Sequence, residues 1–211
     1  MLEITNYKKT YGNTTVLEIS HLQLSEGIYW LKGENGAGKT TFIKSVAGLI
    51  PFEGIIVTDG LCIRKQRMLY TKKVSFAEAE PVYPSFLTGN DLVQFYRNTK
   101  GETSCKALAE AFGVVSYLQN KTGTYSSGML KKLSLLLAFS DNPKLILLDE
   151  PFITLDAAAV IALHQRIALS FSKGISFIIS SHQQLELSVP YHTLKINQQT
   201  IEQELYAVPA E

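Results

Sequence analysis

Cysteine is scarce in this chain: Cys62 and Cys105 are the only 2 among 211 residues. Their separation matches no metal-binding spacing and allows at most one bridge, so both are expected to be reduced and structural. An excess of one charge is lacking as well. The 20 Lys+Arg stand against 19 Asp+Glu, a formal net charge of +1. That balance gives no basic field for nucleic acid and no charged block typical of a disordered tail. Long hydrophobic runs are missing too. Stretches such as 135–139 and 145–148 fall far short of the roughly 18–20 apolar residues that cross a membrane. The opening Met1-Leu2-Glu3-Ile4-Thr5 has neither the basic nor the apolar region of a signal peptide. These absences predict a cytoplasmic chain without a span of its own. What remains, 45% hydrophobic and 18% charged residues, is the composition of one ordinary globular domain.

Apolar runs rich in Ile, Leu and Val alternate with helix-length segments, which predicts an α/β domain around a largely parallel sheet. The first 26 residues differ. Short alternating stretches (2–4, 16–19, 22–24) are split by Tyr11-Gly12-Asn13 and read as an antiparallel edge sheet. Residues 28–31 read as a buried strand, followed by a glycine-rich turn and a helix ending near Gly48. Residues 75–84 carry two prolines and no clear period, and read as a break. Thr88, with Asp91 three residues on, is a capping-box-like start for a helix through Arg97. Residues 105–113 look helical, so 86–124 is expected to be a helical insertion in the α/β core. A helix (128–139), a buried strand (144–148), a helix (157–171) and a strand (175–180) follow. The tail predicts a hairpin around Asn197-Gln198-Gln199.

Gly33-Glu34-Asn35-Gly36-Ala37-Gly38-Lys39-Thr40 satisfies G-x-x-x-x-G-K-[ST] between a strand and a helix, the context this phosphate loop requires. Glycines let the backbone wrap a phosphate chain, and the amides at the helix N-terminus supply positive potential. Lys39 is placed to reach β- and γ-phosphates, and the Thr40 hydroxyl to ligate Mg²⁺. This predicts a nucleotide site. Four apolar residues, 145–148, then end in Asp149-Glu150. This sets two carboxylates at the C-terminal edge of a buried strand, where ligands of open α/β sheets bind. Asp149 is suited to hold Mg²⁺ and Glu150 to polarise an attacking water. The strand at 175–180 leads to His182, whose imidazole is expected at the same edge, within reach of a γ-phosphate or the water. His21, His164 and His192 have no such setting and read as structural.

Taken in order, these motifs resemble the nucleotide-binding subunit of an ATP-binding-cassette (ABC) transporter. Residues 33–41, ending in Thr41, match its Walker A, and 145–150 its Walker B. Thr154-Leu155-Asp156 matches the D-loop and His182 the switch histidine. Tyr11 stands where the family's adenine-stacking aromatic stands. Tyr125-Ser126-Ser127-Gly128-Met129 occupies the signature position, usually Leu-Ser-Gly-Gly-Gln.

The resemblance implies a P-loop NTPase core of RecA type with an N-terminal antiparallel β subdomain and an inserted helical subdomain. The core would comprise 1–85 and 125–211. It implies ATP and Mg²⁺ as ligands, with Lys39, Glu150 and His182 catalytic. It also implies a head-to-tail pair, with itself or a similar chain, in which Ser126, Ser127 and Gly128 complete the partner's phosphate site. A separate transmembrane permease subunit is the further partner it implies, with the chain peripheral at the cytoplasmic face. Nucleic acid is not expected.

One element departs from the family. Val74-Ser75-Phe76-Ala77-Glu78-Ala79-Glu80-Pro81 carries no Q-loop glutamine, leaving Glu78 or Glu80 as the nearby carboxylates. Tyr83, Phe86, Phe95 and Tyr96 stand either in a groove for the permease or in ordinary packing. The alternatives are a non-transport ABC ATPase, a cassette that binds ATP with little hydrolysis, and a small P-loop kinase.

Overall fold

A computed structural model describes residues 1–100, 106–140 and 143–207. Its first two strands, β1 (Leu2–Tyr11) and β2 (Thr14–Leu24), form an antiparallel pair. The three short stretches expected from sequence are thus two long strands. Their alternation is broken where Asn6 takes φ 49° and the pairing of β1 with β4 (Glu53–Thr58) shifts register between Thr5 and Lys8. Leu2 and Ile4 point inward before the irregularity and Tyr7 after it. A two-residue strand, β5 (Leu61–Cys62), completes a four-stranded sheet in the order β2-β1-β4-β5.

The second sheet contains β3 (Ile28–Lys32), β6 (Val74–Ala77), β7 (Leu145–Asp149), β8 (Ser176–Ser180), β9 (Tyr191–Asn197) and β10 (Thr200–Ala207). Its order is β10-β9-β3-β8-β7-β6, parallel throughout except for the β9–β10 hairpin. The hairpin turns at Gln198 and Gln199, both at positive φ (45° and 63°). β6 overturns the reading of 75–84 as an unpatterned break from its start. A parallel strand covered on both faces shows no alternation, so its four residues carry no period to read.

Both faces of this sheet are covered, and the side chains of β7 divide between two cores. Leu145 and Leu147 join Phe42, Ile43 and Val46 of α1 (Lys39–Val46), which lies between the two sheets beside Tyr7, Leu17 and Ile56. Ile146 and Leu148 join the opposite core. There they meet Leu135 and Phe139 of α5 (Ser127–Ala138) and Leu163 and Ile167 of α6 (Ala157–Phe171). Each of these side chains contributes about 1.5–3 kcal/mol on leaving water.

Between β5 and β6 lies α2 (Arg67–Lys73), which the sequence reading did not anticipate. α3 (Gly89–Lys100) begins on the expected reciprocal box. The Thr88 amide donates to Asp91 Oδ2 (2.8 Å) and the Asp91 amide to Thr88 Oγ1 (3.1 Å). α4 (Lys106–Ala111) follows, with single turns at Val114–Ser116 and Thr122–Thr124. Leu92 of α3 packs with Tyr125, Leu133 and Leu137, which seats this helical region on α5. Cys105 lies outside the described residues, whereas Cys62 is free and half-buried. No helix among the described residues is long and apolar enough to cross a membrane.

Candidate functional site

Three adjacent strands, β3, β8 and β7, end at one edge of the parallel sheet, and each is followed by one of the motifs read from sequence. After β3 the chain turns through Gly36 (φ 79°) and Gly38 (φ 105°) into α1. A Cβ on Gly38 would sit 3.0 Å from Val16 Cγ1 and be strained at that φ, so the loop needs glycine there. The loop and the two neighbouring strand ends line a cleft of about 270 Å³. Its walls include Asn35, Gly36, Gly38, Lys39, Thr40, Thr41, Glu150 and His182. Lys39 lies 8% exposed at its floor. Its ammonium donates to the carbonyls of Gly33 (2.8 Å) and Glu34 (3.1 Å), bracing the loop from within.

The acidic wall is tied together. Thr40 Oγ1 donates to Asp149 Oδ2 (2.8 Å), and Ser180 Oγ donates to Asp149 Oδ1 (2.6 Å). The same Ser180 hydroxyl accepts from the Glu150 amide (2.9 Å), holding that residue at a φ of 44°. A non-glycine residue in this region costs on the order of 1–3 kcal/mol and persists only where its surroundings enforce it. Glu150 is thereby turned into the cleft instead of continuing the strand. His182 Nε2 lies 3.2 Å from Glu150 Oε1, and the His182 amide 3.4 Å from Oε2. Oε1 is buried without an aligned hydrogen-bond donor. It therefore keeps lone-pair capacity beside the His182 imidazole. Ser180 had no role in the sequence reading. The signal available was its place as the last residue of a buried strand beside the one that ends in Asp149.

The remaining candidates lie apart from this cleft. Tyr11, 53% exposed, ends β1 with Lys9 Nζ 4.5 Å above its ring, and it is not among the residues lining the cleft. Thr14, its pairing partner across the turn, lines an adjoining groove of about 710 Å³, as do Gly33, Glu34, Ala37 and the hairpin tip. Ser126 caps α5, its Oγ accepting from the Met129 amide (3.2 Å), and Ser127 is exposed at the first helical position. Gly128 faces the Thr154-Leu155-Asp156 segment, where a Cβ would stand 2.9 Å from the Thr154 carbonyl oxygen. Lys132 and Asp156 pair at 2.5 Å across that contact. None of residues 126–128 lines the phosphate-loop cleft.

The segment after β6 also points elsewhere. Glu78 pairs with Lys44, one turn beyond Thr40 on α1, and neither Glu78 nor Glu80 lines the cleft. Behind it sits a residue that the sequence reading passed over. Lys131 of α5 is 1% exposed, and burial pushes its ammonium down to about 8 against the pull of Asp149, Glu150, Glu78 and Glu80. It falls on the helix face that carries Leu135 and Ala138, so a lysine in register with an apolar stripe was the available signal. Of the aromatics near this segment, Tyr83 and Tyr96 pack against the Leu92–Tyr125–Leu133–Leu137 cluster, whereas Phe86 and Phe95 are exposed. His164 and His192 pack on Phe152 and Tyr29, as expected of structural histidines.

The ABC transporter family model matches residues 17–153. The ABC transporter ATP-binding protein YhcH of Bacillus subtilis, itself uncharacterized, is 31% identical over 90% of this chain and 64% of its own length. The bacitracin transport ATP-binding protein BcrA of Enterococcus faecalis is 34% identical over 86% of this chain and 61% of its own. The chain thus spans slightly less than two thirds of these relatives. A cytochrome c biogenesis ATP-binding export protein, CcmA of Legionella pneumophila, is 29% identical over 89% of this chain and 96% of its own. Among solved structures, an ATP-binding subunit of an ABC transporter superposes with a TM-score of 0.85 over 95% of this chain and 88% of that one, at 24% identity. A dimeric ATP-binding cassette in a post-hydrolysis state, bound to ADP and Pi, superposes with a TM-score of 0.78 over 97% and 98%, at 20% identity.

Proposed function

The chain belongs to the ABC transporter ATP-binding family, and from that premise we propose that it binds and hydrolyses ATP to drive a separate transmembrane permease. The observation that carries this reading is the convergence of Lys39, Thr40, Asp149, Glu150 and His182 on one strand-end edge, with Thr40 bonded to Asp149, Glu150 against His182 and Ser180 bridging the two acids. In this reading the triphosphate lies along 33–41, replacing the loop carbonyls as partner of the Lys39 ammonium. The base extends toward Tyr11.

The donor set fits Mg²⁺. Thr40 Oγ1 and Asp149 Oδ2 are two hard oxygens 2.8 Å apart, and no cluster of three or more His, Cys, Asp or Glu gathers among the described residues. Mg²⁺ is held in this way, by one or two protein oxygens, with phosphates and water completing its shell. When bound, it would neutralise charge on the β- and γ-phosphate oxygens. Glu150, which lines the cleft beside His182, accepts the proton of a water as the water oxygen bonds to the γ-phosphorus and the β–γ bridge breaks. The bridging oxygen leaves with ADP. His182, held against Glu150, stabilises charge on the transferred phosphoryl group.

Among the described residues, the cleft is lined by the phosphate loop, the start of α1, Glu150 and His182, which leaves the side opposite the loop to another donor. We assign that part to Ser126, Ser127 and Gly128 of a second ABC subunit, because in one chain these residues face away from the cleft and open a helix with free amides. Residues 86–124 then form a helical subdomain between core segments 1–85 and 125–211. The exposed Val82, Phe86 and Phe95 offer apolar surface for the permease at the cytoplasmic face.

The test pairs ATP binding with phosphate release. Wild type is expected to release phosphate in the presence of Mg²⁺. Glu150→Gln is expected to keep ATP affinity while losing about 10²–10⁴-fold in turnover, the range of a removed general base. Binding without turnover in wild type would instead favour a cassette that holds ATP as a signal. The absence of a glutamine in 74–81 makes that reading worth excluding.

A further inference from the structure

The ammonium of Lys131 spends its three hydrogens on three backbone carbonyls: Glu78 (2.9 Å), Ala79 (2.7 Å) and Asp149 (3.2 Å). These belong to two segments that the sheet brings together and then releases. The last pair of the β6–β7 ladder is Ala77 with Leu148. Immediately beyond it come Glu78-Ala79 on one strand and Asp149-Glu150 on the other. Lys131 bonds to both sides of that divergence from a helix that begins four residues earlier at Ser127. A buried ammonium is costly unless each hydrogen finds an acceptor and opposite charge stands near. Here both conditions hold, since Asp149, Glu150, Glu78 and Glu80 are all close enough to favour the cation. Glutamine has too few donors for three carbonyls, and methionine has none.

We infer that Lys131 is a positioning residue. It clasps the 78–80 segment and the Asp149–Glu150 strand end to the helix that opens with Ser127-Gly128, so that the acidic wall of the cleft moves with that turn. The inference rests on the ATPase reading for its consequence, though not for its geometry. In this chain neither Glu78 nor Glu80 lines the cleft, and beyond the end of the β6–β7 ladder the backbone of the segment is tied to the acidic wall by Lys131, while the Glu78 side chain pairs with Lys44 on α1. Displacement of 78–80 by whatever docks beside it reaches the Asp149 carbonyl, one residue before Glu150, through the Lys131 ammonium.

The test uses the full chain with Lys131→Met, Lys131→Gln and wild type. Lys131→Met is expected to lower kcat about tenfold or more while KM for ATP stays within about twofold. Lys131→Gln, which keeps two donors, is expected to recover part of that loss. In the nucleotide-free chain, amide exchange at 78–80 and 149–150 should quicken about tenfold in Lys131→Met, with β3 and α6 exchanging as in wild type.

Unchanged kcat together with unchanged local exchange would overturn the inference. So would a uniform rise in exchange with kcat and KM restored well below the melting temperature, since that outcome describes a packing residue only. If Lys131→Met does not fold, the same two readouts on Lys131→Gln decide. Should wild type prove to have no turnover, the ATPase reading fails, while the exchange measurement still tests the clasp.

Discussion

The phosphate-loop edge and the turn at 126–128 are both glycine-bearing segments opening a helix, yet they are finished to different degrees. At the first, nearly every polar group has a partner inside the chain: Lys39 on the loop carbonyls, Thr40 and Ser180 on Asp149, and Ser180 on Glu150. At the second, Ser126 caps its own helix, Ser127 faces solvent, and the turn is backed by Thr154 and the Lys132–Asp156 pair. A preassembled half-site and an open one on the same chain are what a head-to-tail pair requires. In the proposed pair, each chain carries a cradle for its partner to close and a lid for its partner's site.

That contrast can be broken at either end. The larger effect is expected at the open end. Ser127→Arg places a bulky cation at an exposed position and should leave ATP affinity of the single chain within about twofold. Turnover should fall at least about tenfold, as befits an interaction made only in the reacting complex. Loss of binding in the same proportion would mean that the turn belongs to its own chain's site. The smaller effect is expected at the finished end. Ser180→Ala strands the Glu150 amide and one oxygen of Asp149, and denaturant unfolding should report a loss of about 1–3 kcal/mol. A change within error would mean that water replaces the hydroxyl and that the acidic wall is less fixed than its bonds imply.

The two ends were also unequally legible. The phosphate loop, the acidic pair and His182 were readable because each motif sits at a strand end whose apolar run announces it, and β7 and β8 are buried at every position. α6 was legible as a helix-length segment over 157–171, which Asp156 caps in the structure, and α3 announced itself by Thr88 and Asp91. The loss occurred where tertiary contacts rather than local pattern decide. β6 has four residues, one of them Ser75, against two prolines just beyond. β4 begins with Glu53-Gly54, and its apolar run, Ile55-Ile56-Val57, is too short to stand out before Thr58 and the Asp59-Gly60 turn. α2 buries only Tyr70 among residues it describes as helix. Lys131 was missed for a different reason. Its charge suggested a solvated face, and only the three carbonyls gathered from two separate segments, 78–79 and Asp149, explain its burial. The resemblance to a known family supplied Tyr11 and the pairing of subunits, neither of which follows from spacing within one chain.

The claim that one chain's 126–128 turn completes the other's cleft is tested most directly by mixing two inactive variants. Lys39→Ala disables the cradle and Ser127→Arg the lid, so each variant alone carries one defect in both composite sites. In a mixed pair, one site collects both defects and the other has none. Equal mixing should therefore restore roughly one quarter of wild-type ATP hydrolysis, since half the pairs are mixed and one of their two sites is intact. A mixture no more active than its separate components would contradict the account.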